Sequence, residues 1–166
     1  MPQFDHKIAK QIFEMGQSQV KFWVFISKFG LYIFLATLIL IAFLINANGA
    51  VVFWLIPPAS AFFITFVVRY VVRRPRPKFA GNEYVPLLKK WSFPSAHAGV
   101  AYAFATTLSL IVFEVDFVIG IVCAMVFFLM ANLISLSRLA LGVHYFSDVL
   151  AGALIGMVIS VMLISI

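Results

Sequence analysis

Ser137-Arg138-Leu139-Ala140-Leu141-Gly142-Val143-His144-Tyr145-Phe146-Ser147-Asp148 interrupts the most apolar part of a 166-residue chain. Before it runs a charge-free stretch, Phe117 to Leu136, and at its end opens an apolar run from Tyr145 to Ile166 whose one charge is Asp148, each close to the ~20 apolar residues that cross a bilayer. The break therefore sets an arginine, a histidine and an aspartate at a membrane boundary, where charge is costly and usually functional. His144 and Asp148 are four residues apart, so a helix starting near His144 stacks them on one face, where the carboxylate orients the imidazole. Arg138 stands at the end of the preceding helix. A cation, a candidate nucleophile and its orienting acid point to an anionic substrate, phosphate first.

The composition supports the membrane reading. The chain is 64% hydrophobic and only 11% charged, with a mean hydropathy of +1.09. A soluble domain is roughly half apolar. The length suits a single domain over residues 1–166. The net charge of +6 comes from clustered basic residues, which suit anionic headgroups or a phosphorylated substrate. Nucleic acid is not expected as a partner, because these residues flank apolar spans and no binding module is visible. Cys123 stands alone in an apolar run, which excludes an internal disulfide or a thiolate metal site. The first residues lack the basic, apolar, small-residue order of a cleavable signal.

Taken in order, the spacing of Phe4, Ile8, Ile12 and Met15 predicts an amphipathic helix over 4–17 that lies in the interface. Five spans are expected next: Phe22 to Ile45, Val51 to Val72 with a kink or restart at Pro57-Pro58, Ser95 to Phe113, Phe117 to Leu136, and Tyr145 to Ile166. Asn46 to Gly49 and Glu114 to Asp116 are read as turns. Gly152 and Gly156 form a G-x-x-x-G pattern that allows close helix approach. The predicted fold is all-α, a polytopic helical bundle of five transmembrane helices plus the interfacial helix. Counting crossings puts the polar segment 73–94 and the stretch 137–145 on the same membrane face.

Three clusters then share that face: Arg69 with Arg73-Arg74-Pro75-Arg76-Pro77, Phe93-Pro94-Ser95-Ala96-His97, and Ser137 to Asp148. Arg69-x6-Arg76-Pro77, Pro94-Ser95-Ala96-His97 and Ser137-Arg138-x5-His144-x3-Asp148 resemble the K-x6-R-P, P-S-G-H and S-R-x5-H-x3-D pattern of the type 2 phosphatidic acid phosphatase (PAP2) superfamily. Vanadium haloperoxidases share the pattern but are soluble, which this composition excludes. There are two departures. Arg69 replaces a lysine, exchanging a compact ammonium for a planar fork, and Ala96 replaces a glycine, adding a methyl near the phosphate.

The resemblance implies a metal-independent, cofactor-free lipid phosphatase. His144 is then the nucleophile that forms a phosphohistidine, and Asp148 accepts its other ring N–H. His97 protonates the leaving oxygen and later activates water. Arg69, Arg76, Arg138, Ser95 and the backbone at Ala96 hold the phosphoryl oxygens. Singly, the same residues have plainer readings: His97 as an interfacial residue at a helix start, and His144 with Asp148 as a structural pair. Arg73, Arg74, Lys78, Lys89 and Lys90 read as lipid-headgroup contacts outside the site. A zinc site from His97, His144 and Asp148 is opposed by the neighbouring arginines.

The short layout is similar to bacterial undecaprenyl-pyrophosphate phosphatases of the bacitracin-resistance type. That implies a lipid phosphate or pyrophosphate substrate in the bilayer of a bacterial inner membrane, with the site facing the periplasm or cell exterior. The clustering of Lys and Arg on the same face points the other way, to the cytoplasm. Phosphatidylglycerophosphate, phosphatidic acid and lipid A phosphate fit the same chemistry. The rival class is a small transporter or an anionic-lipid-binding scaffold, although a transporter more naturally sets its charges near the bilayer midplane.

Overall fold

Seven α-helices form among residues 2–79 and 91–164, which the computed structural model describes. They are α1 (Pro2–Gly16), α2 (Val20–Leu44), α3 (Val51–Trp54), α4 (Ile56–Val72), α5 (Ala96–Val115), α6 (Phe117–Ala140) and α7 (Phe146–Ile164). Five segments are long and apolar enough to cross a membrane. The first is a continuous helical run, Phe4–Leu44, that joins α1 to α2 through a 3-10 turn at Gln17–Gln19. The second span breaks at Leu55, and Pro57 and Pro58 occupy the first turn of α4, where their missing N–H groups cost least.

α5 is the hub. It packs on α4, α6, α7 and α2, whereas α6 and α7 scarcely touch each other. Two-thirds of its most apolar window is buried (67%), against 17–28% for the other spans. Its small residues make this possible: Ala98, Ala101, Ala103 and Ala105 are fully covered. One flank is closed by Phe34 and Leu38 of α2 with Phe127, Ala131 and Ile134 of α6, and the Phe34 and Phe104 rings stack at 5.8 Å. Large side chains such as Phe63, Val71, Met125 and Leu129 point outward, as lipid-facing helix surfaces require.

The glycine pair on α7 sets the distance to α5. A Cβ on Gly152 would lie 2.3 Å from the Ser95 carbonyl oxygen, and one on Gly156 would lie 2.1 Å from that of Gly99. The stripe continues at Ser160, whose hydroxyl donates to the Ala103 carbonyl at 3.0 Å. Close backbone approach of this kind is what holds helices together without a hydrophobic force between them. Gly156→Val is therefore expected to destabilise the bundle by about 1–3 kcal/mol or more, since backbone cannot yield as a side chain can. Thermal unfolding in detergent checks this, and an unchanged midpoint would exclude the close-packed seam.

Several boundaries differ from the sequence reading. α6 runs on to Ala140 rather than stopping at Leu136, because Ser137 and Arg138 turn inward and are buried. The acidic turn shrinks to Asp116 alone, whose carboxylate caps α6 by accepting from the Ile119 N–H at 2.8 Å. His144 precedes α7 instead of lying on it, so the expected helical stacking with Asp148 does not occur.

Candidate active site

The segment after α4 is turned by Arg73, which ends the helix in the left-handed region at φ 53. The chain then extends, with Pro75 bridged to Trp91 and the Ser92 N–H donating to the Arg74 carbonyl at 2.8 Å. This pins residues 73–79 against the entry to α5. Ser95 caps α5, its hydroxyl oxygen accepting from the Ala98 N–H at 3.4 Å. Its own N–H donates to the Asp148 carbonyl at 2.8 Å, so that group is already engaged. The first-turn N–H groups of Ala96 and His97 have no helical acceptor and remain suited to an anion.

Three arginines converge beside the histidines. Arg69 donates to the Pro94 carbonyl at 2.9 Å, Arg76 to the Val143 carbonyl at 2.7 Å, and Arg138 to the Ser27 hydroxyl. In all three the Nε group is buried with no partner. Among the described residues none of the three forms an ion pair with a carboxylate. Burial and the charge of Arg69 push the Arg76 guanidinium down to about 10. Uncompensated guanidinium charge in a desolvated site is costly. It fits a place built to be filled by an anion.

His144 is 2% exposed and Asp148 fully covered. His144 Nδ1 lies 3.5 Å from Asp148 Oδ2, within ion-pair range but beyond a good hydrogen bond, and otherwise has no partner. Burial first, then the charges of Arg138, Arg76 and Arg69, hold the His144 imidazole well below its ordinary range. Both effects favour its neutral form. His97 lies within electrostatic reach of Arg138, His144, Arg69 and Arg76. The expected site residues Arg69, Arg76, Ser95, Ala96, His97, Arg138, His144 and Asp148 thus gather at the ends of α4, α5, α6 and α7.

Asp148 is oriented by a different set of groups than the helix-face reading expects. As the third residue of α7, it reaches back to accept from the Tyr145 N–H at 2.9 Å through Oδ2. Its Oδ1 accepts from Arg74 at 2.8 Å. Arg74, read from sequence as a headgroup contact, instead faces inward. It also donates to Asp5 at 2.7 Å and to the Ser147 hydroxyl at 2.6 Å, and lies 3.9 Å from the centre of the Tyr145 ring. Burial alone would lower its guanidinium, but Asp5 and Asp148 outweigh that and hold it above its ordinary range. No local sequence pattern marks Asp5 for this contact. Arg73 and Lys78 are exposed, as headgroup contacts require, while Lys89 and Lys90 lie outside the described residues. Among the described residues no three of His, Cys, Asp and Glu group as they would to hold a metal ion.

A family model described as the PAP2 superfamily matches residues 32–166. Human sphingosine-1-phosphate phosphatase 2 is 37% identical over 98 residues, 56% of this chain but only 24% of that protein. Among solved structures, the PAP2-type phosphatidylglycerolphosphate phosphatase of Bacillus subtilis superposes with a TM-score of 0.78 at 20% identity, covering 99% of this chain and 84% of that one. Aquifex aeolicus LpxE gives 0.74 at 25% identity, covering 96% and 94%.

Proposed function

The chain belongs to the PAP2 superfamily, and from that premise we propose that it hydrolyses the phosphate or pyrophosphate of a membrane lipid through a phosphohistidine. The observation that carries this is a set of three guanidiniums beside two imidazoles, Arg138 buried and Arg69 and Arg76 half-buried, each with a covered Nε and none paired with a described carboxylate. His144 attacks phosphorus as a neutral base, and the bond from phosphorus to the leaving oxygen breaks. His97 gives that oxygen a proton, then takes one from the water that cleaves the phosphohistidine. Arg69, Arg76 and Arg138, with the Ser95 hydroxyl and the Ala96 N–H, hold the equatorial oxygens as charge develops. Asp148 receives the Nδ1–H as the imidazole becomes cationic; a 3.5 Å contact before substrate binds is of the kind that tightens in the complex. Guanidinium groups supply the charge neutralisation that a metal ion gives other phosphoryl-transfer sites.

The substrate we assign first is undecaprenyl pyrophosphate, cleaved to undecaprenyl phosphate in recycling of the cell-wall lipid carrier. The layout of one amphipathic helix and five spans supports it. Phosphatidylglycerophosphate, phosphatidic acid and lipid A phosphate form the other arms of the test. Phosphate release by purified protein in EDTA should be fastest for undecaprenyl pyrophosphate. Faster release from another lipid would reassign the substrate, and release from none would defeat the phosphatase reading. The site is assigned to the outer face of a bacterial inner membrane. Lys78, exposed beside the site, provides the probe. With Cys123 replaced by serine, a Lys78→Cys variant should react with an impermeant thiol reagent in intact cells, and protection would put the site in the cytoplasm.

A further inference from the structure

Resting on that phosphatase reading, we propose that Asp5, on α1, is a positioning residue of the reaction: it holds the Arg74 guanidinium so that the Asp148 carboxylate stays turned toward His144.

Asp5 uses both of its oxygens. Oδ1 accepts from the Ser147 N–H at 3.0 Å, and Oδ2 accepts from the Ser147 hydroxyl at 2.5 Å and from Arg74 at 2.7 Å. The Ser147 N–H belongs to the first turn of α7, so a carboxylate from another helix occupies the positive end of the helix that carries Asp148. Arg74 sits between two carboxylates, one oxygen of each within 2.8 Å, with its Cζ 3.9 Å from the centre of the Tyr145 ring. Shared in this way, its charge fixes the Oδ1 side of Asp148 without claiming the whole carboxylate. Oδ2 is left for Tyr145 N–H and His144.

Neutralising Asp5 changes that balance. Arg74 then faces one carboxylate only, draws Asp148 toward itself and makes it a weaker acceptor for the His144 Nδ1–H. The charged groups around His144 are Arg138 from α6, Arg69 from α4, Arg76 from the segment after α4, His97 from α5 and Asp148 from α7. Most are cationic, so negative charge behind Asp148 bears directly on how readily the imidazole becomes positive. Asp5 does not reach the arginine cluster, and so it acts on turnover rather than on substrate binding.

Asp5→Asn keeps an acceptor for the Ser147 N–H and removes the charge. It is expected to lower kcat about ten- to a hundredfold, a range typical of small misplacements of reacting groups. KM should stay within about twofold, because the phosphate site is untouched. The imidazole of His144, followed by NMR of histidine-labelled protein, should titrate at lower pH than in the parent. Phe13→Ala is the structural control: it loosens α1, whose Phe13 ring stacks on Phe79 at 5.2 Å, without touching Asp5. That variant should melt earlier but retain kcat and the His144 titration. If Asp5→Asn does not fold, Asp5→Glu and Asp5→Gln repeat the charge comparison at matched length. Parent-like kcat in the uncharged variant, or a Phe13→Ala variant that reproduces its losses, overturns the proposal. A parent protein that hydrolyses no lipid phosphate defeats the phosphatase reading instead. The titration still reads Asp5 in that case, and an unmoved His144 overturns its role.

Discussion

His144→Ala is expected to abolish phosphate release, with a loss of about 10⁴-fold or more, because on the proposed mechanism His144 alone carries the phosphoryl between the two displacements. Rapid quenching with labelled substrate should trap phosphate on the parent protein and none on the variant. Activity that survives the substitution would falsify the phosphohistidine route and leave direct attack by water. The pH dependence has a definite sign. The neutral imidazole is the attacking form, and burial together with Arg138, Arg76 and Arg69 keeps His144 below its ordinary value of 6.5. The acid limb of kcat/KM, which reports the free protein, should therefore lie below pH 6.5. The same shift is a stability term. At pH values between the folded and unfolded values, the unfolded chain binds a proton that the folded one does not. This contribution to stability is complete above pH 6.5 and is lost as the pH falls.

Arg138→Met should separate activity from stability. Arg138 is 3% exposed, donates to the Ser27 hydroxyl and meets no carboxylate among the described residues. Removing one donor aimed at developing charge costs about 10²–10³-fold in rate. Removing a desolvated, uncompensated charge has the opposite effect on the fold, where the penalty is several kcal/mol per ion. The variant is therefore expected to melt higher than the parent while losing nearly all activity. Inorganic phosphate should raise the melting point of the parent, since a ligand that binds only the folded state stabilises it. It should do so far less for the variant. A variant that melts lower, or that phosphate stabilises equally, would show that the guanidinium supports the fold rather than an anion.

Much of this architecture is legible from residues alone, for reasons that differ by element. The spans follow from unbroken apolar length, and the shared face of the three clusters follows from counting crossings. The G-x-x-x-G seam follows from Gly152 and Gly156, which the geometry bears out at 2.3 and 2.1 Å. The end of α6 was misread because a hydropathy run stops at the first polar residues. Ser137 and Arg138 continue the helix with their side chains turned into the bundle. The relation of His144 to Asp148 was misread for a related reason. Four residues apart suggests one helix face, but the helix starts at Phe146 and Asp148 reaches backward from its first turn. Arg74 reads from sequence as a headgroup contact because its partners, Asp5 and Asp148, lie 69 and 74 residues away in sequence. No local pattern carries that information.

The bonds between Asp5 and Ser147 span 142 residues. α1 thus meets the start of α7, and a contact so distant in sequence closes a long loop, whose entropy opposes its forming early in folding. A chain that stops short of His144 holds Arg69, Arg76, His97 and Arg138 but neither His144 nor Asp148. On the proposed mechanism hydrolysis then waits for residues 144–148, and the contact with α1 raises its rate.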